Sequence, residues 1–191
     1  MGFMSRWEPN ARGRLELAAL ELYSERGYDQ TTVAEIAKRA GLTERTFFRH
    51  FADKREVLFY GAGMLQQRLV RGIDEAPAGL APIDVVGTAL EAATELFGER
   101  TAMAQQRQAI VAANPELQGR ELIKLAALAV ALADALRARG VPDPAASLAA
   151  EAGVAVFKIA FQRWASGTVE RPLSQVIGES LAELKTVTAG N

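Results

Sequence analysis

Hydrophobic residues recur along most of the chain at the three- to four-residue spacing of amphipathic α-helices, and no segment keeps the alternation of a β-strand for long. The first such segment runs from about residue 11 to residue 26, and Gly27 is placed to end it. Glycines and prolines fall mostly between the periodic segments and divide the chain into about nine of them. The pattern therefore predicts an all-α fold of about nine helices.

Two short helices are predicted after the first, and their boundaries depend on capping chemistry. Thr32 is followed three residues later by Glu35, which is the spacing of a capping box at a helix start. Gly41 is expected to end this second helix, because glycine adopts the positive φ of a tight turn at little cost. Thr43 then caps a third helix that runs to about Phe51. Two capped helices are therefore expected on either side of a glycine turn.

A fourth helix is expected to begin at Lys54, with Asp53 as its cap, and to continue to about residue 75. Its length suits a connection between two domains. Asn114 and Asp143 each precede a proline, which favours a capped helix start at both places. The later helices are expected at residues 83–97, 102–113, 115–139, 144–166 and 173–186.

The segment from residue 31 to residue 54 has the pattern of a helix-turn-helix, a motif whose second helix lies in the major groove of DNA. Ala37 and Ala40 are small enough to let the two helices cross closely. Leu42 and Phe47 are placed to fill the angle between them. The third helix is therefore predicted to be a recognition helix.

The recognition helix divides into two faces. Phe47 and Phe51 are four residues apart and are expected to point inward together. Arg45, Phe48 and Arg49 then project outward, where arginine can hydrogen-bond to guanine O6 and N7 and phenylalanine can contact a thymine methyl group. Solvated surface positions are the alternative for the two arginines.

Other polar residues around the motif have two interpretations each. Glu44 either accepts a hydrogen bond from a cytosine amino group or suits the positive end of the helix dipole. Arg12 and Arg14 either reach the DNA or lie in solvent at the start of the first helix. His50 either donates to a phosphate or is an ordinary solvated histidine.

The same segment resembles the TetR family of bacterial regulators. The resemblance lies in the strings Thr-Val-Ala-Glu-Ile-Ala, Ala-Gly-Leu-Thr, Thr-Phe-Phe-Arg-His-Phe and Asp-Lys-Arg-Glu-Val-Leu within residues 31–58, and it extends upstream through residues 15–28. It implies a DNA-binding domain at residues 1–53 and a helical domain for effector binding and dimerisation at residues 54–191. It also implies a homodimer in which the last two helices of each subunit pair in a four-helix bundle.

The family's DNA-contacting positions carry over to eight residues of this sequence. Many family members have a small residue where Arg45 stands and a tyrosine where Phe48 stands. We therefore expect Arg45 to add a base or phosphate contact, and Phe48 to lack the hydroxyl that tyrosine would offer to a phosphate. The eight residues are Thr32, Thr43, Arg45, Thr46, Phe48, Arg49, His50 and Lys54.

Composition limits the other classes of function. The formal net charge of −1 over 191 residues argues against a protein that coats DNA non-specifically. Without cysteine, and with a single histidine, we expect no disulfide, no metal site and no cofactor. The first ten residues lack the apolar segment of a signal peptide, and the longest apolar run, residues 125–133, is about half of a membrane span. A cytoplasmic protein without a membrane partner is expected.

Apart from aliphatic residues, the predicted C-terminal domain contains few bulky apolar side chains. Core packing is their default interpretation, while the face that the residues at 157, 161 and 164 share suits a core, a pocket wall or a dimer contact equally. The candidates for an effector pocket are Phe97, Met103, Phe157, Phe161 and Trp164. The effector is expected to be a small, largely apolar molecule.

The sequence therefore predicts a regulator, expected to be a repressor, that binds a palindromic operator in double-stranded DNA and responds to a small molecule. A dimer must present its two recognition helices about one DNA turn apart, ~34–36 Å. The rival hypothesis is a helical enzyme or carrier. It is disfavoured because the chain has no P-loop, no Gly-x-Gly-x-x-Gly and no helix with metal-ligand spacing, although a buried pair of carboxylates stays open.

Overall fold

The computed structural model describes residues 11–167 and 169–189, apart from the side chain of residue 99. This part of the chain is helical and contains no strand, so the all-α prediction is confirmed. Short 3-10 segments lie at Glu56–Phe59 and Thr94–Arg100. The α-helices are α1 (Ala11–Arg26), α2 (Val33–Arg39), α3 (Glu44–His50), α4 (Gly61–Glu75), α5 (Pro82–Ala93), α6 (Thr101–Ala113), α7 (Pro115–Ala138), α8 (Ala145–Ala165) and α9 (Leu173–Thr188).

The helices form two compact units, one ending at Tyr60 and the other beginning at Gly61. In unit 1, the first of these, α1 packs against α2, α3 and the segment Glu56–Phe59. Phe47 of α3 and Leu15 of α1 are fully buried in its core. The spacing of apolar residues on these short helices therefore turns one side of each helix inward, as predicted.

Local chemistry sets the starts of α2 and α3 as the sequence indicates. The Thr32 side chain accepts from the backbone N–H of Glu35, whose carboxylate accepts from the Thr32 N–H at 2.9 Å, so the capping box is present. The Thr43 hydroxyl accepts from the N–H of Thr46 at 3.2 Å. Each cap satisfies an N–H group that has no partner within its own helix.

The predicted fourth helix begins later than expected. Lys54 lies in a turn, the 3-10 segment Glu56–Phe59 follows, and α4 starts at Gly61. Asp53 does cap, but it caps this turn: its Oδ1 accepts from the N–H groups of Arg55 and Glu56 at 2.8 and 3.2 Å. The later start has a local cause, because Asp53 caps this turn, while the Lys54 ammonium binds the carbonyls of Tyr28 and Thr31 in the loop before α2.

Two other predicted caps are wrong in detail. The Asn114 side chain makes no cap; its Nδ2 instead donates to the Ile110 carbonyl at 2.6 Å, inside the preceding helix. The Asp143 carboxylate accepts from Arg137 and Ser147, and α8 begins at Ala145. Both polar side chains thus have partners that compete with the free N–H groups of the helix start.

Unit 2, from Gly61 onward, is built around a core shared by α4, α5, α7, α8 and α9. Gly72 of α4 lets this helix cross α5 closely, since a Cβ there would stand 2.9 Å from the Cα of Ala89. Helix α8 is long and apolar enough to cross a membrane by length and composition. It packs against α5, α7 and α9, as the core helix of a globular domain does.

Candidate nucleic-acid interface and effector region

The turn between α2 and α3 is fixed by backbone geometry. Gly41 has a φ of +67°, which confirms the expected positive φ. The Leu42 N–H donates to the Ala37 carbonyl at 2.8 Å, and the Gly41 N–H donates to the Lys38 carbonyl at 3.0 Å. These bonds close the end of α2 as in a Schellman motif. The chain therefore enters α3 at a defined angle, as a helix-turn-helix requires.

The outward face of α3 carries four exposed side chains, those of Glu44, Arg45, Phe48 and Arg49. Phe48 is 55% exposed, although its ring meets Phe47 edge-on at 5.4 Å. Arg45 and Arg49 are exposed, and neither forms an ion pair within the described residues. A helix of seven residues thus presents two cations, one carboxylate and one aromatic ring to its surroundings. This combination can bind phosphates, guanine edges and thymine methyl groups.

Three arginines elsewhere in unit 1 are paired with carboxylates. Arg26 meets Glu35 at 2.7 Å, and Arg55 meets Asp53 at 2.5 Å. Arg39 donates to carboxylates of α1 at 2.8–3.1 Å, which raises its pKa. These pairs neutralise three cations outside α3. Arg45 and Arg49 differ from these three arginines, since neither has a carboxylate partner within the described residues.

The threonines at the helix starts are already engaged within the protein. The Thr32 hydroxyl donates to Glu35 at 3.0 Å, and the Thr43 and Thr46 hydroxyls lie 3.1 Å apart in one hydrogen bond. Thr32 and Thr43 are exposed, and Thr46 is half-buried. Each hydroxyl that donates to protein has only lone pairs left, so a phosphate contact requires its hydrogen to turn outward. Their DNA contacts stay predictions.

His50 ends α3 in a half-buried position. Its Nε2 is buried and has no hydrogen-bond partner among the described residues. Desolvation lowers the pKa of His50, and the nearby charges of Arg49 and Arg12 lower it further. The imidazole is therefore neutral at pH 7 and offers an N–H rather than a charge to a phosphate. Arg12 also stacks over the Tyr60 ring at 4.9 Å, which fixes the start of α1 inside unit 1.

Lys54 is an internal anchor, which sequence reasoning missed. Its Nζ donates to the carbonyls of Tyr28, Asp29 and Thr31 at 2.9, 3.4 and 3.0 Å, and it stands 4.3 Å from the centre of the Tyr28 ring. All three ammonium hydrogens thus have acceptors in the loop before α2. The Tyr23 hydroxyl donates in turn to the Lys54 carbonyl at 2.7 Å. A phosphate contact by Lys54 stays a prediction.

In unit 2, four of the five predicted pocket residues lie together. Phe97 is 5.4 Å from Phe161, 6.2 Å from Trp164 and 6.4 Å from Phe157, measured between ring centres. The three rings on α8 are buried, and Phe97 is half-buried. Met103, half-buried on α6, does not pack on this core within the described part of the chain. We call the four rings the aromatic cluster; that it lines an effector pocket stays a prediction.

A charged residue that sequence reasoning did not single out lies on the inner side of α4. Arg68 donates through Nε to Glu95 Oε1 at 2.5 Å, and its Nη1 is buried without a partner among the described residues. Glu95 precedes Phe97 in the same 3-10 segment. The signal was available, because Arg68 stands at helical spacing between the apolar residues Leu65 and Leu69. Among the described residues, no cluster of three acidic or histidine side chains could hold a metal ion.

Comparisons with known proteins cover both units. A family model described as bacterial regulatory proteins, tetR family, matches residues 17–60, and one described as the MftR C-terminal domain matches residues 80–189. The transcriptional regulator TcmR of Streptomyces glaucescens is 35% identical over 91 residues, which are 48% of this chain and 40% of TcmR. The transcriptional activator FasR of Mycolicibacterium smegmatis is 35% identical over 65 residues, 34% of this chain and 30% of FasR.

Solved structures are similar over nearly the whole chain. FadR of Thermus thermophilus, a TetR family transcriptional repressor in complex with lauroyl-CoA, is 26% identical with a TM-score of 0.55. The alignment covers 91% of this chain and 92% of that one. The sequence matches to TcmR and FasR thus span less than half of those proteins, whereas the structural match spans both units described above.

Proposed function

Since the chain belongs to the TetR family of bacterial regulatory proteins, we propose that it is a sequence-specific DNA-binding regulator whose DNA affinity changes when a small molecule binds its C-terminal unit. The observation that carries the proposal is the outward face of α3. Arg45 and Arg49 lack carboxylate partners within the described residues, while Arg26 of α1 and Arg39 of α2 have them. An exposed Phe48 between them adds an apolar surface suited to a thymine methyl group.

We place the DNA-binding function in residues 1–53, supported by the segment up to Tyr60. That segment belongs to the folded unit, because Val57 and Leu58 are buried. Lys54 also ties it to the loop before α2. Lys54 then acts by positioning α2 and α3, in addition to any phosphate that it contacts.

We propose a homodimer formed through α8 and α9. Leu148 and Ile159 are 66% and 53% exposed on α8, and their separation of eleven residues puts them on one side of the helix. Such an apolar face suits pairing with a second copy of the chain. A dimer would present two recognition helices to the two halves of a palindromic operator. A DNA-binding protein of this kind is expected in the bacterial cytoplasm.

The effector is proposed to be a small molecule with a large apolar part. The aromatic cluster supports this, since four rings offer a large apolar surface at the centre of unit 2. FadR of Thermus thermophilus was solved with lauroyl-CoA, which favours an acyl chain as the apolar part. Release of DNA on effector binding is the expected direction, as in a repressor.

Selection of bound sequences from random double-stranded oligonucleotides tests the proposal, followed by fluorescence anisotropy on the selected site. We expect a palindromic site, with affinity that falls steeply as salt increases. Arg45→Ala should weaken specific binding by ~1–3 kcal/mol if Arg45 contacts a base. Arg26→Ala is the matched control, because it removes a paired arginine from another face. No enriched sequence would contradict the proposal, and equal effects of the two variants would contradict the role of Arg45.

A further inference from the structure

Arg68 occupies a position on α4 that the helical pattern reserves for an apolar residue. Leu69 and Ile73 are fully buried, Gly72 is buried, and Leu65 packs against the core. Position 68 lies three residues after Leu65 and four before Gly72, so it belongs to the same side of the helix. Its side chain is only 20% exposed. A guanidinium in such a place is rarely found without a partner of opposite charge.

The partner found within the described residues engages only part of the guanidinium. Nε donates to Glu95, whose own side chain is 64% exposed and extends into solvent. Nη1 is buried and has no acceptor among the described residues. Leaving such a donor unpaired costs free energy, so an acceptor for Nη1 is expected. The free donor points to a bound group that carries an oxygen.

The neighbourhood of Arg68 indicates what else such a ligand contacts. Glu95 and Phe97 belong to the same short 3-10 segment, Thr94–Arg100. Phe97 in turn contacts the rings of Phe161 and Trp164. One segment therefore joins a half-satisfied cation to the aromatic cluster. A molecule with an acidic group at one end and an apolar body at the other matches both features.

We propose that Arg68 binds the anionic head group of an amphipathic effector whose apolar body contacts the aromatic cluster. This inference rests on the proposed function, because it assigns the effector's chemical class. Guanidinium hydrogen-bonds to carboxylate and phosphate oxygens with high geometric specificity, while Glu95 keeps its bond to Nε. The shared chemistry is an oxyanion, supplied either by the carboxylate of a fatty acid or by the phosphates of an acyl-CoA.

Isothermal titration calorimetry on the full chain, without DNA, tests the proposal with three twelve-carbon probes: laurate, lauroyl-CoA and dodecanol. The variants are Arg68→Gln, Arg68→Lys and the control Arg71→Gln, which changes an exposed arginine of the same helix. Thermal melting verifies that each variant is folded. The glutamine variant should remain folded, since Nη1 has no partner among the described residues and the bond that is lost, from Nε, goes to the exposed Glu95.

We expect the wild type to bind at least one of the two anions about tenfold or more tightly than dodecanol. Arg68→Gln should lose that preference, Arg68→Lys should keep part of it, and Arg71→Gln should keep all of it. Preference for laurate identifies a carboxylate as the head group, and preference for lauroyl-CoA alone identifies the phosphates. The proposal is overturned if Arg68→Gln retains the preference, if dodecanol binds as tightly as the anions, or if neither anion binds the wild type.

The outcome is separable from that of the proposed function. Binding of wild type and Arg68→Gln to the selected DNA site, measured without a lipid probe, reports on the helix-turn-helix alone. Loss of the head-group preference with intact DNA binding supports the assignment of Arg68. Intact DNA binding without any preference for an anion overturns that assignment and leaves the DNA-binding proposal standing.

Discussion

Replacing Lys54 by methionine tests whether this residue acts mainly inside the protein or on the DNA. Methionine keeps most of the apolar stem and removes the ammonium. In the folded protein that ammonium donates to three backbone carbonyls, two of them at 2.9 and 3.0 Å, and stands over the Tyr28 ring. We therefore expect the main effect of Lys54→Met to be lower stability of unit 1.

The magnitude follows from the contacts that are lost. Hydrogen bonds to a charged group contribute about 1.5–3 kcal/mol each, and a cation–π contact contributes about 0.5–1 kcal/mol at an exposed site. Lys54 is half-buried, so water weakens these contacts, and the freed side chain regains about 2 kcal/mol of rotamer entropy. A net loss of about 2–3 kcal/mol is expected. With an m-value of about 1–3 kcal/mol/M, the urea midpoint should fall by about 0.7–3 M.

The assay uses the tyrosine signal, because all three tyrosines of the chain lie in unit 1. Urea unfolding followed by near-ultraviolet circular dichroism, in a Trp164→Phe background that removes the buried indole of unit 2, then reports on that unit. Lys38→Met is the matched control, since Lys38 is exposed on α2. If Lys54 mainly contacts a DNA phosphate, Lys54→Met should keep a stability within about 0.5 kcal/mol of the control. The slope of log K for DNA binding against log salt should then change by about 0.9. That result would refute the anchoring role of Lys54.

Three further predictions concern stability. Gly72→Ala should destabilise unit 2 by about 1 kcal/mol in urea unfolding, because the new Cβ would meet the Ala89 backbone at 2.9 Å. Gly63→Ala is the control on the same helix. Its Cβ would enter open space, so this variant should stabilise unit 2 by about 0.5–1 kcal/mol. Burial raises the pKa of the Tyr23 phenol in the folded protein. The stability of unit 1 should therefore hold below pH 10 and fall above it, because Tyr23 ionises first in the unfolded chain. An equal melting temperature at pH 9 and pH 11 would contradict this expectation. Arg139 donates to four backbone carbonyls at the C-terminal end of α4, at 2.7–3.2 Å. Arg139→Gln should therefore speed amide hydrogen exchange in the last turn of α4, measured by mass spectrometry. Unchanged exchange would argue that Arg139 does not stabilise this helix end.

Chemistry that acts over three or four residues was predictable from the sequence. Thr32 with Glu35 and Thr43 with Thr46 cap their helices as expected, since donor and acceptor are neighbours in the chain and little else competes for them. The positive φ of Gly41 was predictable for the same reason. These elements set the geometry of the helix-turn-helix, which was therefore predictable at the level of single residues, while the DNA contacts assigned to it stay predictions.

Contacts between distant residues were not predictable, and each error has a distant or competing partner. Lys54 binds the Tyr28 carbonyl 26 residues away, so the expected helix start became an anchored turn. Asp143 binds Arg137 across the loop before α8, in addition to Ser147 in the first turn of that helix. Arg68 was visible as a charge within an apolar pattern, but its partner Glu95 is 27 residues distant. Helical periodicity predicts the side of the helix on which a residue lies, but it does not identify the distant residue that its side chain binds.

The division of charge in unit 1 shows how distant pairing determines which residues are available for function. In the sequence, Arg39, Arg45 and Arg49 are equivalent basic residues on short helices. In the folded chain, the carboxylates of α1 engage Arg39 from 14 and 18 residues away, and no carboxylate approaches the other two within the described residues. A partner of high negative charge therefore gains most from the face of Arg45 and Arg49, where no internal ion pair has to be broken before it binds. The exposed Phe48 on that face favours DNA over a simple anion, because a base offers its ring an apolar surface that phosphate lacks.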